Sequence, residues 1–144
     1  MNNLTKFKIL KPASEVFEAF VDPLRIGGFW FSSSSERWEQ GKTVTLKYDE
    51  YNAEVDIKVT KIEVNEKIVF MWGASEEEHI VTISLKEQDD MSTIIEVNEE
   101  GFKENDDELI HKLIDNKEGW VYMLTCLKGY LEFDVRNLRA GLVK

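Results

Sequence analysis

One segment near the C-terminus limits what this chain can fold into. GWVYMLTCLKGYLE at 119–132 has helical spacing, but its apolar residues cover more than one side. A helix lying on the surface of a small core shows a single apolar stripe about 100° wide. Here Trp120, Leu124, Leu127 and Leu131 form one narrow stripe. Tyr122, Met123, Cys126, Tyr130 and Phe133 form a second beside it, and Thr125, Lys128 and Glu132 mark the polar back. Such a helix needs a layer that curves around it, not a flat one to rest on.

The preceding residues supply that layer. Phe7 and Ile9 alternate with Lys6 and Lys8, which predicts a strand over 4–10. Pro12 fits the first turn of a helix whose face is Val16, Phe17, Ala19 and Phe20. Asp22-Pro23 ends it, and PLRIGGFW reads as a second short helix closing in a Gly-Gly turn. FSSSSERWEQGK at 31–42 is a polar loop carrying Trp38.

Period-two segments follow: Val44, Leu46 and Tyr48; Ala53, Val55, Ile57 and Val59; Val81, Ile83 and Leu85; Thr93, Ile95 and Val97; among them IVFMW at 68–72 reads as a strand with little polar relief. A slip of phase at Lys61-Ile62 predicts a bulge. EEGFKENDDE at 99–108 reads as a solvated crossing or helix entry with Phe102 as its one buried candidate. Helical spacing resumes at Leu109, Leu113 and Ile114, with the long helix from about 116. Short turns make the sheet antiparallel with one apolar face.

The expected architecture is a single α+β domain over 1–144. A curved antiparallel sheet of about six strands wraps a long C-terminal helix, and two short helices follow strand 1. The Trp120–Leu131 stripe should pack on the sheet. The Met123–Cys126–Tyr130 stripe should face the gap between sheet and short helices, and spacing fits either a solid core or a pocket there.

Charge narrows the partners. The 28 acidic against 18 basic residues leave a net −10, which opposes binding to nucleic acid or to anionic lipid. A lone cysteine, Cys126, excludes an internal disulfide and a thiolate zinc cluster, and its place on the apolar side predicts a buried, inert thiol. The N-terminus lacks the build of a signal peptide, and no stretch reaches the length of a membrane span. Asn3-Leu4-Thr5 is then a chance match to the glycosylation pattern. A cytoplasmic protein is expected.

Few residues promise chemistry. His79 shares the phase of Val81, Ile83 and Leu85, so it should point to the concave side at a strand end, beside Glu76, Glu77 and Glu78. There it could orient a ligand or act as a base, although a half-solvated histidine is the simpler expectation. His111 and Asp115 are four apart on a helix and read as a surface pair, since two ligands do not make a metal site. There is no Gly-x-Ser-x-Gly elbow, Ser32–Ser35 is a plain loop, and Gly27-Gly28 lacks the rest of a phosphate loop. Glu54 and Asp56 fall on the outward strand phase. No metal and no cofactor is expected, and an enzyme is the weaker expectation.

Three motifs resemble the SRPBCC (START-like, helix-grip) superfamily, and within it the homologues of the heat-shock-protein-90 ATPase activator. KPASEVFEAFVDPLRIGGFW at 11–30 is similar to that family's helix-opening Pro, Val-Phe, Asp-Pro and Trp. VTKIEVNEKIVFMWG at 59–73 is similar to its strand, turn and strand ending in Trp-Gly. GWVYMLTCLKGYLE is similar to its terminal helix. The resemblance implies a sheet gripping the last helix over a cavity, in carriers or sensors of small apolar molecules. It implies two other classes as well: a protein-interaction module of the chaperone-activator kind, linked to stress response, and a cyclase-like enzyme. The eukaryotic activators add an N-terminal domain for chaperone contact, which this chain is expected to lack.

Tyr and Trp offer apolar area with one hydrogen-bonding tip. Together with the resemblance this gives a candidate ligand-binding set of Trp30, Trp38, Tyr48, Phe70, Trp72, His79, Met123, Cys126 and Tyr130. The expected partner is a small apolar molecule, with a chaperone or other protein as the alternative.

Overall fold

The computed structural model describes residues 1–143. Asn2–Ile9 (β1) leads into a helix at Ala13–Val21 (α1), a 3₁₀ turn at Ile26–Gly28 and the two-residue strand Ser33–Ser34 (β2). Thr43–Tyr48 (β3), Ala53–Glu63 (β4), Lys67–Trp72 (β5), His79–Glu87 (β6) and Thr93–Glu100 (β7) follow as a meander, and Leu109–Phe133 (α2) closes the fold. The strands form one antiparallel sheet in the order β1-β7-β6-β5-β4-β3-β2. It curves around α2, the helix-grip arrangement expected.

Details differ from the sequence reading for local reasons. Ser33 and Ser34, inside the expected loop, pair with Lys47 and Leu46 and add a seventh strand. The second short helix is only a 3₁₀ turn. A Cβ at Gly27 would lie 2.9 Å from the Ser32 carbonyl oxygen, and one at Gly28 would enter the Tyr130 ring. The chain is too tightly held there to continue a helix. The register shift in β4 falls between Val59 and Lys61, one step before the expected slip.

α1 starts without a side-chain cap, and its Ala13 N–H donates to Glu87 Oε1 at the end of β6 (2.8 Å). Its buried face is Val16, Phe17, Ala19, Phe20 and Val21. α2 begins earlier than expected, at Leu109. Left-handed Asp134 (φ 54°) ends it, and the Val135 N–H turns back to the Gly129 carbonyl; such a bond satisfies an end carbonyl. The helix is laced to β1 along its length. Asn3 Nδ2 donates to the Leu113 carbonyl and to Asn116 Oδ1, and Lys128 Nζ donates to the Lys8 carbonyl. The Leu10 N–H donates to Glu132 Oε2.

Trp120, Leu124 and Leu127 are buried, as are Met123 and Cys126 of the second stripe. Phe133 is 71% exposed, so the second stripe ends before it. Among the described residues, no helix is long and apolar enough to cross a membrane.

Candidate functional site

Between the first half of α2, the ends of β3 and β5, and the segment after α2 lies a cavity of about 660 Å³. Small-molecule sites start near ~300 Å³. Trp30, Trp72 and Trp120 form one wall. The Trp72 and Trp120 rings stack at 5.6 Å, and Trp30 lies 5.5 Å from Trp120 and 6.3 Å from Trp72. Tyr48, Tyr51, Tyr122, Met123 and Gly119 also line it. A Cβ at Gly119 would meet nothing within 4 Å, so the helix backbone itself borders open space.

The wall is fixed from behind by one carboxylate. Glu99, 3% exposed, sits on the inward phase of β7. Its Oε1 accepts from Trp120 Nε1 (3.0 Å) and Asn116 Nδ2 (2.9 Å). Its Oε2 accepts from Trp72 Nε1 (3.4 Å) and lies 2.7 Å from His79 Nδ1. A buried carboxylate needs such donors, and each donor it engages is oriented in return.

The cavity's other border is the segment after α2, and tyrosine hydroxyls hold it. Tyr48 donates to the Arg139 carbonyl (2.7 Å), Tyr51 to the Leu142 carbonyl (2.8 Å) and Tyr122 to the Leu138 carbonyl. Burial pushes the Tyr48 hydroxyl up to about 12, so it stays a donor at neutral pH. Arg139, 7% exposed, reaches back under this strap. Its guanidinium grips both oxygens of Glu50, bonds to Ser32 Oγ and the Trp30 carbonyl, and lies 4.9 Å over the Tyr48 ring. The Arg139 hydrogen bond, aided by Ser32, holds the Glu50 carboxyl down to about 2. Ala140, Leu142 and Val143 thereby complete the cavity lining.

A second cavity of about 350 Å³ shares Trp72, Asp115 and Asn116 with the first and is lined by His79, Glu99 and Phe102. The His79 ring packs edge-on against Phe102 at 4.5 Å. Gly101 (φ +125°) leaves it room, since a Cβ there would lie 2.6 Å from the imidazole. With Nδ1 turned to Glu99, the other ring nitrogen of His79, Nε2, is left for a further partner. No serine, threonine or cysteine is among the described residues lining either cavity, so this pair has no hydroxyl or thiol nucleophile beside it. Nor do the described residues include a cluster of His, Cys, Asp or Glu that could hold a metal.

Of the candidate set, the structure brings Trp30, Tyr48, Trp72 and Met123 together around the larger cavity. His79 lies at the smaller one. Trp38 and Phe70 are fully buried against each other (5.5 Å) behind the wall. Cys126 is buried, with its thiol pushed up by that burial. Tyr130 stacks on Phe29 at 5.9 Å. Asp115, read as half of a surface pair, lines both cavities.

Sequence reasoning missed Glu99, Trp120 as a lining residue, and the whole strap with Arg139. The signal for Glu99 was present, because the alternation of Thr93, Ile95 and Val97 runs on to it. Its acidic neighbours made it read as solvated crossing. Arg139 had no periodic signal at all.

The family described as "Activator of Hsp90 ATPase homolog 1-like protein" matches residues 11–132. No curated protein matches the sequence. Among solved structures, the protein SSP2350 from Staphylococcus saprophyticus is 50% identical, with a TM-score of 0.84 over 94% of this chain and 95% of that one. The Aha1 dimer from Colwellia psychrerythraea, 18% identical, has a TM-score of 0.79 over 92% of this chain and 97% of that one. DynU16, a protein of the dynemicin biosynthetic locus, is 22% identical with a TM-score of 0.82, covering 96% of this chain and 49% of that one. The last two share the fold. With the family match spanning residues 11–132, the chain belongs to the activator of Hsp90 ATPase homolog 1-like family.

Proposed function

We propose that this protein binds a small, largely apolar molecule in the cavity between sheet, α2 and strap, and that it works in the cytoplasm. The observation that carries the reading is a space of about 660 Å³ walled by Trp30, Trp72 and Trp120. Large aromatic walls with a few oriented polar groups are what such ligands need. Trp30, Tyr48, Trp72, Trp120 and Met123 make the contacts, while Trp38, Phe70, Cys126 and Tyr130 support them from the core. His79 positions the wall through Glu99.

The test is a titration with a neutral fluorescent probe, N-phenyl-1-naphthylamine, against wild type and Gly119→Leu. The leucine projects into the open space found at Gly119, and leucine also favours helix over glycine by up to about 1 kcal/mol. Wild type should bind one equivalent saturably. Gly119→Leu should bind at least ~10-fold more weakly while keeping its helix content, the loss of a few buried methylenes' worth of contact. No saturable binding, or binding indifferent to Gly119→Leu, overturns the reading.

A further inference from the structure

Most of the aromatic donors around the larger cavity are already engaged, and its walls are rich in electron density. The N–H groups of Trp72 and Trp120 are spent on Glu99. The hydroxyls of Tyr48, Tyr51 and Tyr122 are spent on strap carbonyls. An anionic ligand needs donors or cations, and among the described lining residues there is no lysine, arginine or histidine. The charged side chains that do line it, Glu50 and Asp115, are both acidic. Arg139 stands behind Tyr48 with its charge matched by Glu50.

The indoles carry a second, independent indication. An indole that donates its N–H to a carboxylate has electron density pushed into its ring, which deepens the negative potential of the π face. Trp72 and Trp120 both do so, to the same buried carboxylate, and Trp30 completes a cluster with ring centroids within 6.3 Å of one another. Aromatic clusters of this kind attract ammonium groups, most strongly where water is excluded.

We propose that the cavity selects an apolar cation, an amine or quaternary ammonium on a hydrophobic body, over neutral or anionic molecules of the same shape. The proposal rests on the ligand-binding reading above and adds the charge of the ligand to it. Neutral apolar groups fill the space beside Met123, and the cationic head lies against the indoles whose N–H groups face Glu99.

The experiment compares two isosteres, phenyltrimethylammonium and tert-butylbenzene, which differ in charge but hardly in shape. Binding is read from the tryptophan indole N–H resonances in nitrogen-15 spectra of the full chain. The cation should bind about tenfold tighter than its neutral twin. Trp72→Phe, which removes one carboxylate-bonded indole, should bring that ratio toward one. If tert-butylbenzene binds as tightly as the cation or tighter, the charge selection is overturned and the apolar cavity stands. If neither shifts any indole resonance saturably, both readings are overturned.

Discussion

The interior has two halves built on different terms. Under α1, Ile9, Val16, Phe17, Ala19, Phe20 and Ile26 are fully or almost fully buried, and no residue of α1 lines either cavity. These side chains have no polar tips, so they interdigitate until the space is filled. Around the first half of α2 the large side chains are Trp30, Trp72, Trp120, Tyr48, Tyr51 and Tyr122. Most have a polar tip fastened to Glu99 or to a strap carbonyl. Such a side chain cannot swing inward to fill a void without breaking its bond. The packed half makes the domain stable, and the tethered half keeps a space open within it.

Removing the main tether should break the comparison most severely. Glu99→Ala strands the buried N–H of Trp120 and frees the part-buried N–H of Trp72 and amide of Asn116 at the cavity. A loss of about 2 kcal/mol in urea unfolding is expected, since one stranded buried donor costs ~1–3 kcal/mol. A loss below ~1 kcal/mol would mean that the wall does not depend on this carboxylate.

A smaller, local effect should follow from acid. The Glu50 carboxyl is held at about 2 in the folded protein, against an ordinary value of 4.5, chiefly by Arg139. A carboxyl depressed in this way contributes its stabilisation fully above 4.5 and loses it as pH falls toward 2. The strap should therefore stay protected at neutral pH and loosen between about 4.5 and 2, as followed by amide hydrogen exchange of residues 138–143. Arg139→Gln should show the loosened exchange already at neutral pH. Unchanged exchange in that variant would sharpen the account differently, leaving the tyrosine hydroxyls as the strap's sole fastening.

The same contrast explains how much could be read from sequence. Packed elements announce themselves by period: Val81, Ile83 and Leu85 place β6, and Val16, Phe17 and Phe20 place the face of α1. The over-apolar arc at 119–132 correctly demanded a wrapping sheet. The site is less legible because its organising groups break the patterns they sit in. Glu99 is a charge on an apolar phase, flanked by Asn98 and Glu100 on the outward one. Arg139 acts from an irregular segment through contacts with residues about 90 to 110 positions away in the chain. Local spacing carries no record of such pairings. Trp72 and Trp120 are visible as aromatics, but that their N–H groups share one acceptor is a tertiary fact.

The central claim, that one half is full and the other open, is tested most directly by placing a leucine in each. Gly119→Leu adds its side chain where a Cβ meets nothing within 4 Å, and Ala19→Leu adds its own at a fully buried position of α1. Paired thermal melts should show Gly119→Leu at least as stable as wild type and Ala19→Leu destabilised by ~1–3 kcal/mol, the usual cost of overpacking. Equal destabilisation by both would show that the half around Gly119 is packed as well, and would contradict the account.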